Sequence, residues 1–238
     1  MSRVSDATER IRLRRRRETR RTALTVTISI LVVLAVAAAT WLVGFSSVLA
    51  VRDVTVTGVQ TLSAEQVEQA AAIQLGTPMA RIDGAAVEQR VAALSPVKEV
   101  TMERHWPSTI TLVVTERSPL FAVKQNNGSG YLLVDSTGIA YTEVATMPKG
   151  LVTATAADAS LLPDLAAVVV ELPEELRTQV KSISAASRDG ITLTLTSSRK
   201  VVWGSAERSR FKVTVLLALL KQKGTTYDVS APDFPAVR

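Results

Sequence analysis

The sequence predicts an α+β protein: one N-terminal transmembrane helix, then a β-α-α-β-β unit, then a β domain with covering helices. Three observations lead there. Residues 22–51 hold no Asp, Glu, Lys or Arg. Beyond them, several short segments alternate β-branched and polar residues with the period of two that belongs to strands. Between these stand runs with apolar residues three and four apart, opened by a capping residue and closed by Gly or Pro, as helices are.

The first element is a basic tail over residues 1–21. It holds nine Arg (Arg3, Arg10, Arg12, Arg14, Arg15, Arg16, Arg17, Arg20 and Arg21) against Asp6, Glu9 and Glu18. That difference equals the formal net charge of the whole chain, +6, so the other 217 residues balance at 19 basic and 19 acidic. A nucleic-acid binder wants its positive charge on a folded face, and the main body has no such excess.

Residues 22–45 form the transmembrane segment. About 20 helical residues cross a bilayer's hydrocarbon core, and this run is slightly longer. Its Thr and Ser hydroxyls can bond carbonyls one turn back, and Trp41 suits the interfacial belt. Arginines on one flank against only Arg52 and Asp53 on the other put the N-terminus in the cytoplasm and residues 52–238 outside. A cleavable signal peptide has a shorter apolar core. Although Val48-Leu49-Ala50 could serve as an exit and Thr19-Arg20-Arg21 is a twin-arginine pair, the length of the run favours an uncleaved anchor.

Outside the membrane, residues 51–58 read as a strand ending in Gly58. Ser63 and Gln66 have capping-box spacing, and Leu62 and Val67 stand where a hydrophobic staple would. The helix they open should run to about residue 75 and stop at Gly76 before Pro78. A second helix starts near Asp83 with Val87, Val91 and Leu94 on one stripe, and Pro96 ends it. Residues 97–106 and 109–116 form two strands around a Pro107-Ser108 turn, with Ile110, Leu112 and Val114 on one face.

The second unit opens with short strands at 120–125, 131–134 and 139–141, separated by turns at 126–130 and 135–138. Residues 158–170 form a helix broken by Pro163 and closed by Pro173. Strands follow at 180–186, 191–196 and 200–203, the first two joined through Asp189-Gly190. Ser205 caps the next helix, with Glu207 in its first turn and Phe211, Val215, Ala218 and Leu219 spaced to cover a sheet. Gly224 stops that helix. Residues 225–230 are the last strand, and Pro232 and Pro235 forbid further regular pairing.

No catalytic, cofactor or metal residues emerge. The chain has no Cys and one His, which excludes a thiolate nucleophile, a Cys zinc site and a multi-His metal site. Neither Gly-x-Ser-x-Gly nor a Walker loop occurs. His105 lies in a strand beside Trp106-Pro107 with no nucleophile nearby. Glu174 and Glu175 suit the first turn of a helix after Pro173, Asp135 and Asp189 read as turn-makers, and Arg208, Arg210 and Lys212 read as a solvated face. The suggestive feature is the final strand, because an edge with unpaired N–H and C=O groups accepts a partner strand. The competing reading is an edge blunted by Asp228 and the prolines. A ligand-binding or sensor protein, marked by a large apolar pocket ringed with polar groups, is the alternative class.

The motifs resemble those of the FtsQ/DivIB cell-division family, in actinobacterial style. They are, in order, the basic tail and single membrane helix, the block around Gly58 and Ser63 with Gly76 and Asp83 downstream, and Ser95-Pro-Val97 followed by Glu103-Arg104-His-Trp106-Pro107 and Val114-Thr-Glu116-Arg117-Ser-Pro119. Then come Leu133-Val-Asp135-Ser-Thr-Gly138, Val202-Trp203-Gly204, and Tyr227-Asp228-Val229-Ser230-x-Pro232. The resemblance implies a POTRA domain over 51–117, a β domain over 118–231 and a short tail over 232–238. It implies a non-enzymatic single-pass scaffold of the divisome, concentrated at the septum. Such a scaffold binds FtsB/DivIC-like and FtsL-like bitopic proteins and helps control septal peptidoglycan synthesis. The partner strand would pair with Thr226, Tyr227, Asp228, Val229, Ser230 and Ala231.

Overall fold

The computed structural model describes residues 24–42, 44, 47–125 and 130–238. The basic tail, the outer ends of the 22–45 segment and most of the 126–130 turn lie outside the described residues. Helix α1, Leu24–Leu42, has a mean hydropathy of 2.3, and none of the residues in its most apolar stretch is buried in protein. An all-round apolar helix of this length needs a nonpolar solvent, and a bilayer supplies one.

The rest of the chain divides into two compact units. The first takes in residues up to 57 with 63–91 and 100–113; the second takes in 58–62, 92–99 and 114–238. Strand β1 (Asp53–Thr57), helices α2 (Ala64–Ala71) and α3 (Gly84–Ala92), and strands β2 (Val97–His105) and β3 (Thr109–Glu116) follow the predicted β-α-α-β-β order. Their sheet runs β1-β3-β2, with β1 parallel to β3 and Asp53 opposite Thr109. Val67, Ala71, Met79, Val87, Val91, Ile110 and Leu112 make the first unit's core.

The capping box forms as predicted: Gln66 N donates to Ser63 Oγ, and Ser63 N donates to Gln66 Oε1. However, α2 stops before Gly76. Ala72 adopts a left-handed conformation, φ 49°, and its N–H bonds Glu68 O. The guanidinium of Arg90 then donates to Ala71 O, satisfying a helix-end carbonyl from outside the helix.

In the second unit, strands β4 (Phe121–Lys124), β5 (Tyr131–Val134), β6 (Ala140–Val144), β7 (Val152–Ala156), β8 (Val180–Ala185), β9 (Ile191–Leu195), β10 (Lys200–Gly204), β11 (Thr226–Asp228) and β12 (Ala236–Val237) form one sheet. Its order is β12-β11-β10-β9-β8-β7-β4-β5-β6. Helices α4 (Leu162–Glu171), α5 (Glu174–Arg177) and α6 (Ser209–Leu219) accompany it. Leu165, Val168 and Val169 of α4 and Leu216 of α6 share one buried cluster with Ile183, Leu193, Val201 and Trp203 of the sheet.

Four local expectations change. Strand β7 was not predicted. Pro163 sits in the first turn of α4, where its missing N–H costs nothing, so it opens the helix and does not break it. Ser205 and Glu207 precede α6, which starts at Ser209 after Arg208 turns left-handed at φ 56°. Finally, β12 pairs where Pro232 and Pro235 had argued against any strand.

Candidate partner-binding edge

The predicted partner-binding residues lie on and just after β11. This strand runs parallel to β10, with Lys200 opposite Thr226, Val201 opposite Tyr227 and Val202 opposite Asp228. Val229 N continues the ladder by donating to Val202 O at 2.9 Å. Tyr227 and Val229 are fully buried, Thr226 and Asp228 half-buried, and Ser230 and Ala231 exposed. Tyr227 Oη donates to Gln222 O at 2.9 Å, so the ring is both packed and tied. A proline at Val229 would therefore break the sheet itself.

The expectation that this strand is the sheet edge is corrected. β12 lies antiparallel on β11, with Tyr227 opposite Val237 and Asp228 opposite Ala236. Arg238 N donates to Thr226 O, and Thr226 N donates to Arg238 O, both at 2.9 Å. The prolines do not prevent this because both lie in the connecting turn, outside the paired residues. That turn is held by Phe234 N donating to Ala231 O at 2.9 Å, by Ser230 N donating to Asp228 Oδ1 at 3.0 Å and by the Arg208–Asp233 ion pair at 2.7 Å.

The main-chain direction follows from this register. In an antiparallel ladder, opposed residues alternate between pairs that exchange both hydrogen bonds and pairs that exchange none. Arg238 and Thr226 exchange both, so the neighbouring pair, Val237 and Tyr227, exchanges none. The N–H and C=O of Val237 thus point away from the sheet, at its free margin. Phe234, 87% exposed, stands just before this strand.

A buried polar network braces the edge from behind. Lys212 reads from the sequence as part of a solvated face; it is 2% exposed, on a helix capped at Arg208, three residues later than the expected cap at Ser205. Its ammonium donates to Trp203 O at 3.0 Å and Ser205 O at 2.8 Å, with no carboxylate ion-paired to it among the described residues. Burial pushes its pKa down, and Glu207 only partly offsets that. Trp203 Nε1 donates to Ser209 Oγ, which donates to Ala206 O. Gly204, at φ 78°, lies so close to Ser230 that a Cβ would stand 2.8 Å from the serine's own. The other two basic residues of that predicted face do reach outward, Arg208 to Asp233 and Arg210 to Glu171.

A cleft of about 540 Å³ also occurs in the second unit, lined by Gly58, Thr61, Glu116, Arg117, Tyr141 and Val144 among others. Both charged side chains that line it, Glu116 and Arg117, have protein partners, though the buried Nε of Arg117 has none among the described residues. Glu116 accepts the amides of Gln60, Thr61 and Leu62. Burial works against its charge, yet those donors hold the carboxyl below its ordinary range. Arg117 pairs with Asp135, which is 2% exposed and also accepts the amides of Thr137 and Ile139 and the Thr137 hydroxyl. Asp135 is thus a turn-maker, as expected, and a buried anion besides. Burial opposes its ionisation, but the Thr137 hydroxyl, Arg117 and the two amides together lower its pKa to about 2. Among the described residues no group of His, Asp and Glu is arranged to hold a metal ion.

Fold and edge together define a class: a membrane-anchored protein with a POTRA-type unit and a sheet-rich unit under helices. Residues 49–117 match the FtsQ-type POTRA domain, and residues 122–233 match the C-terminal part of cell division protein FtsQ/DivIB. The cell division protein FtsQ of Streptomyces bingchenggensis is 40% identical over 215 residues, covering 84% of this chain and 80% of the relative. That of Mycolicibacterium smegmatis is 36% identical over 212 residues, covering 83% and 60%. A solved extracytoplasmic domain of DivIB from Geobacillus stearothermophilus aligns with 50% of this chain and 97% of its own, at 12% identity and a TM-score of 0.36. The chain belongs to the FtsQ/DivIB cell-division family.

Proposed function

We propose that this protein is a non-enzymatic septal scaffold. Its N-terminus lies in the cytoplasm and its two folded units outside, and it binds FtsB/DivIC-like and FtsL-like bitopic partners by strand addition. The added strand lies along β12, which itself pairs with residues 226–228 of the predicted 226–231 segment, and through it the scaffold helps control septal peptidoglycan synthesis. The observation that carries this reading is the outward N–H and C=O of Val237 at the margin of the nine-stranded sheet. The margin carries no inward charge and stands beside exposed Phe234, which favours pairing, while its length of two residues limits the main-chain bonds it offers to one outward N–H and one outward C=O. The sensor alternative is disfavoured because the carboxylate of Glu116 already accepts main-chain amides and Arg117 already pairs with Asp135.

Val237→Pro in the full chain tests the edge. It removes one outward donor, worth about 1 kcal/mol, and should weaken binding of the FtsB-type partner's extracytoplasmic region about fivefold. Val237→Ile should bind normally. Equal affinity for Val237→Pro and the parent, at equal thermal stability, would remove the edge from the interface. Depletion in the host, with a fluorescent fusion alongside, tests the wider role. Filamentous cells and septal signal are expected; normal septa with uniform membrane signal would refute it.

A further inference from the structure

The start of β1 gathers two loops that are far apart in sequence. Val51 N donates to Thr77 O at 2.9 Å, and Gly76 N donates to Val51 O at 2.8 Å. Arg52 N donates to Ser108 O at 2.8 Å. Two consecutive residues therefore bind both the loop after α2 and the tip of the β2–β3 hairpin. Each loop displays a large apolar side chain to solvent: Leu75 is 65% exposed and Trp106 52%. Val48, 58% exposed, precedes them in a 3₁₀ turn at Ser47–Leu49. Elsewhere in residues 50–113 the one exposed large apolar residue is Val113, opposite Thr57 at the far end of β1.

This apolar end is the end tethered to α1. Nine residues lead from Leu42 to Val51, and an extended chain of that length reaches about 30 Å at most; the 3₁₀ turn shortens it. Exposed apolar side chains cost nothing where the solvent is a lipid interface, and Trp is enriched there because its ring is apolar and its N–H polar. Arg52, Glu103 and His105, all exposed, rim the patch, as suits a headgroup layer. We infer that this end of the POTRA unit rests on the membrane that α1 spans, with Trp106 and Leu75 in the interface. The unit is then held by two attachments, covalent and interfacial, which restricts its swing about the tether. The inference uses the anchor and not the β12 edge, so either can fail alone.

The test uses the full chain in phosphatidylcholine/phosphatidylglycerol nanodiscs. Trp41→Phe leaves Trp106 and the fully buried Trp203; subtracting the Trp41→Phe/Trp106→Phe signal isolates Trp106. A doxyl quencher high on the acyl chain should quench Trp106 strongly, and iodide should quench it several-fold less than a free tryptophan amide. Leu75→Trp in the doubly substituted chain provides a second, independent reporter with the same expected pattern. Iodide quenching at the free-indole level at both positions, with no doxyl effect, would overturn the inference.

Discussion

Replacing Asp135 by Asn should destabilise the second unit strongly at neutral pH and hardly at all near pH 2. The carboxylate is 2% exposed and paired to Arg117, whose side chain is 15% exposed. Moving a carboxyl from its ordinary 3.8 to about 2 on folding corresponds to about 2 kcal/mol of stability. Because the folded value is the lower one, that contribution is complete above about pH 4 and disappears as pH falls toward 2. Asn keeps an oxygen for the amides of Thr137 and Ile139, but it strands the Arg117 guanidinium, and breaking a buried pair costs about 3–5 kcal/mol. A loss of about 2–4 kcal/mol at pH 7 is therefore expected. Urea unfolding of the full chain in nanodiscs, followed by the emission of buried Trp203, measures it at both pH values. A gap of the same size at pH 7 and pH 2 would refute the ion-pair account, as would a loss at pH 7 below about 0.5 kcal/mol.

Two further perturbations probe the support of the edge, beside the Val237→Pro and Trp106 measurements already set out. Lys212→Met leaves the carbonyls of Trp203 and Ser205 without their donor; a loss of about 1–3 kcal/mol in urea unfolding is expected. Because burial lowers the folded lysine's pKa, the parent should gain stability as pH rises toward the unfolded value, and the Met variant should not. Gly204→Ala places a methyl group against Ser230 at a positive φ. It should cost about 1–3 kcal/mol and weaken partner binding through the displaced 229–231 segment, read by the same affinity assay.

Much of the local structure was legible because its causes are local. Ser63 and Gln66 announce their helix through two hydrogen bonds that span three residues. The period-two run of Thr109–Glu116 puts Ile110, Leu112 and Val114 on one buried face whatever else the chain does. Strand β7 was missed: its Val-Thr-Ala-Thr-Ala has weak apolar contrast, and it is a strand because β4 and β8 bind it on both sides. The stop of α2 at Ala72 was equally invisible, since Arg90 supplies a cap from another helix.

The candidate site divides along the same line. Tyr227 and Val229 were readable as alternating strand residues, and their burial agrees with that alternation. That β11 is an inner strand was not readable, because pairing with Ala236–Val237 reverses the chain through a turn whose prolines, read alone, argue against any strand. The burial of Lys212 was hidden for a similar reason: its hydrogen-bond partners among the described residues are main-chain carbonyls, which every sequence possesses.

The amino-acid sequence alone determined that the chain carries an N-terminal helix long and apolar enough to cross a membrane and then forms strands and helices in a particular order. Those features depend on hydropathy, period and capping over a few residues. Only the tertiary structure decided which main-chain groups stay unpaired, which charge lies inside, and which exposed side chains share the end beside the anchor. Each of those depends on residues brought together from distant parts of the chain, and no local pattern records that meeting.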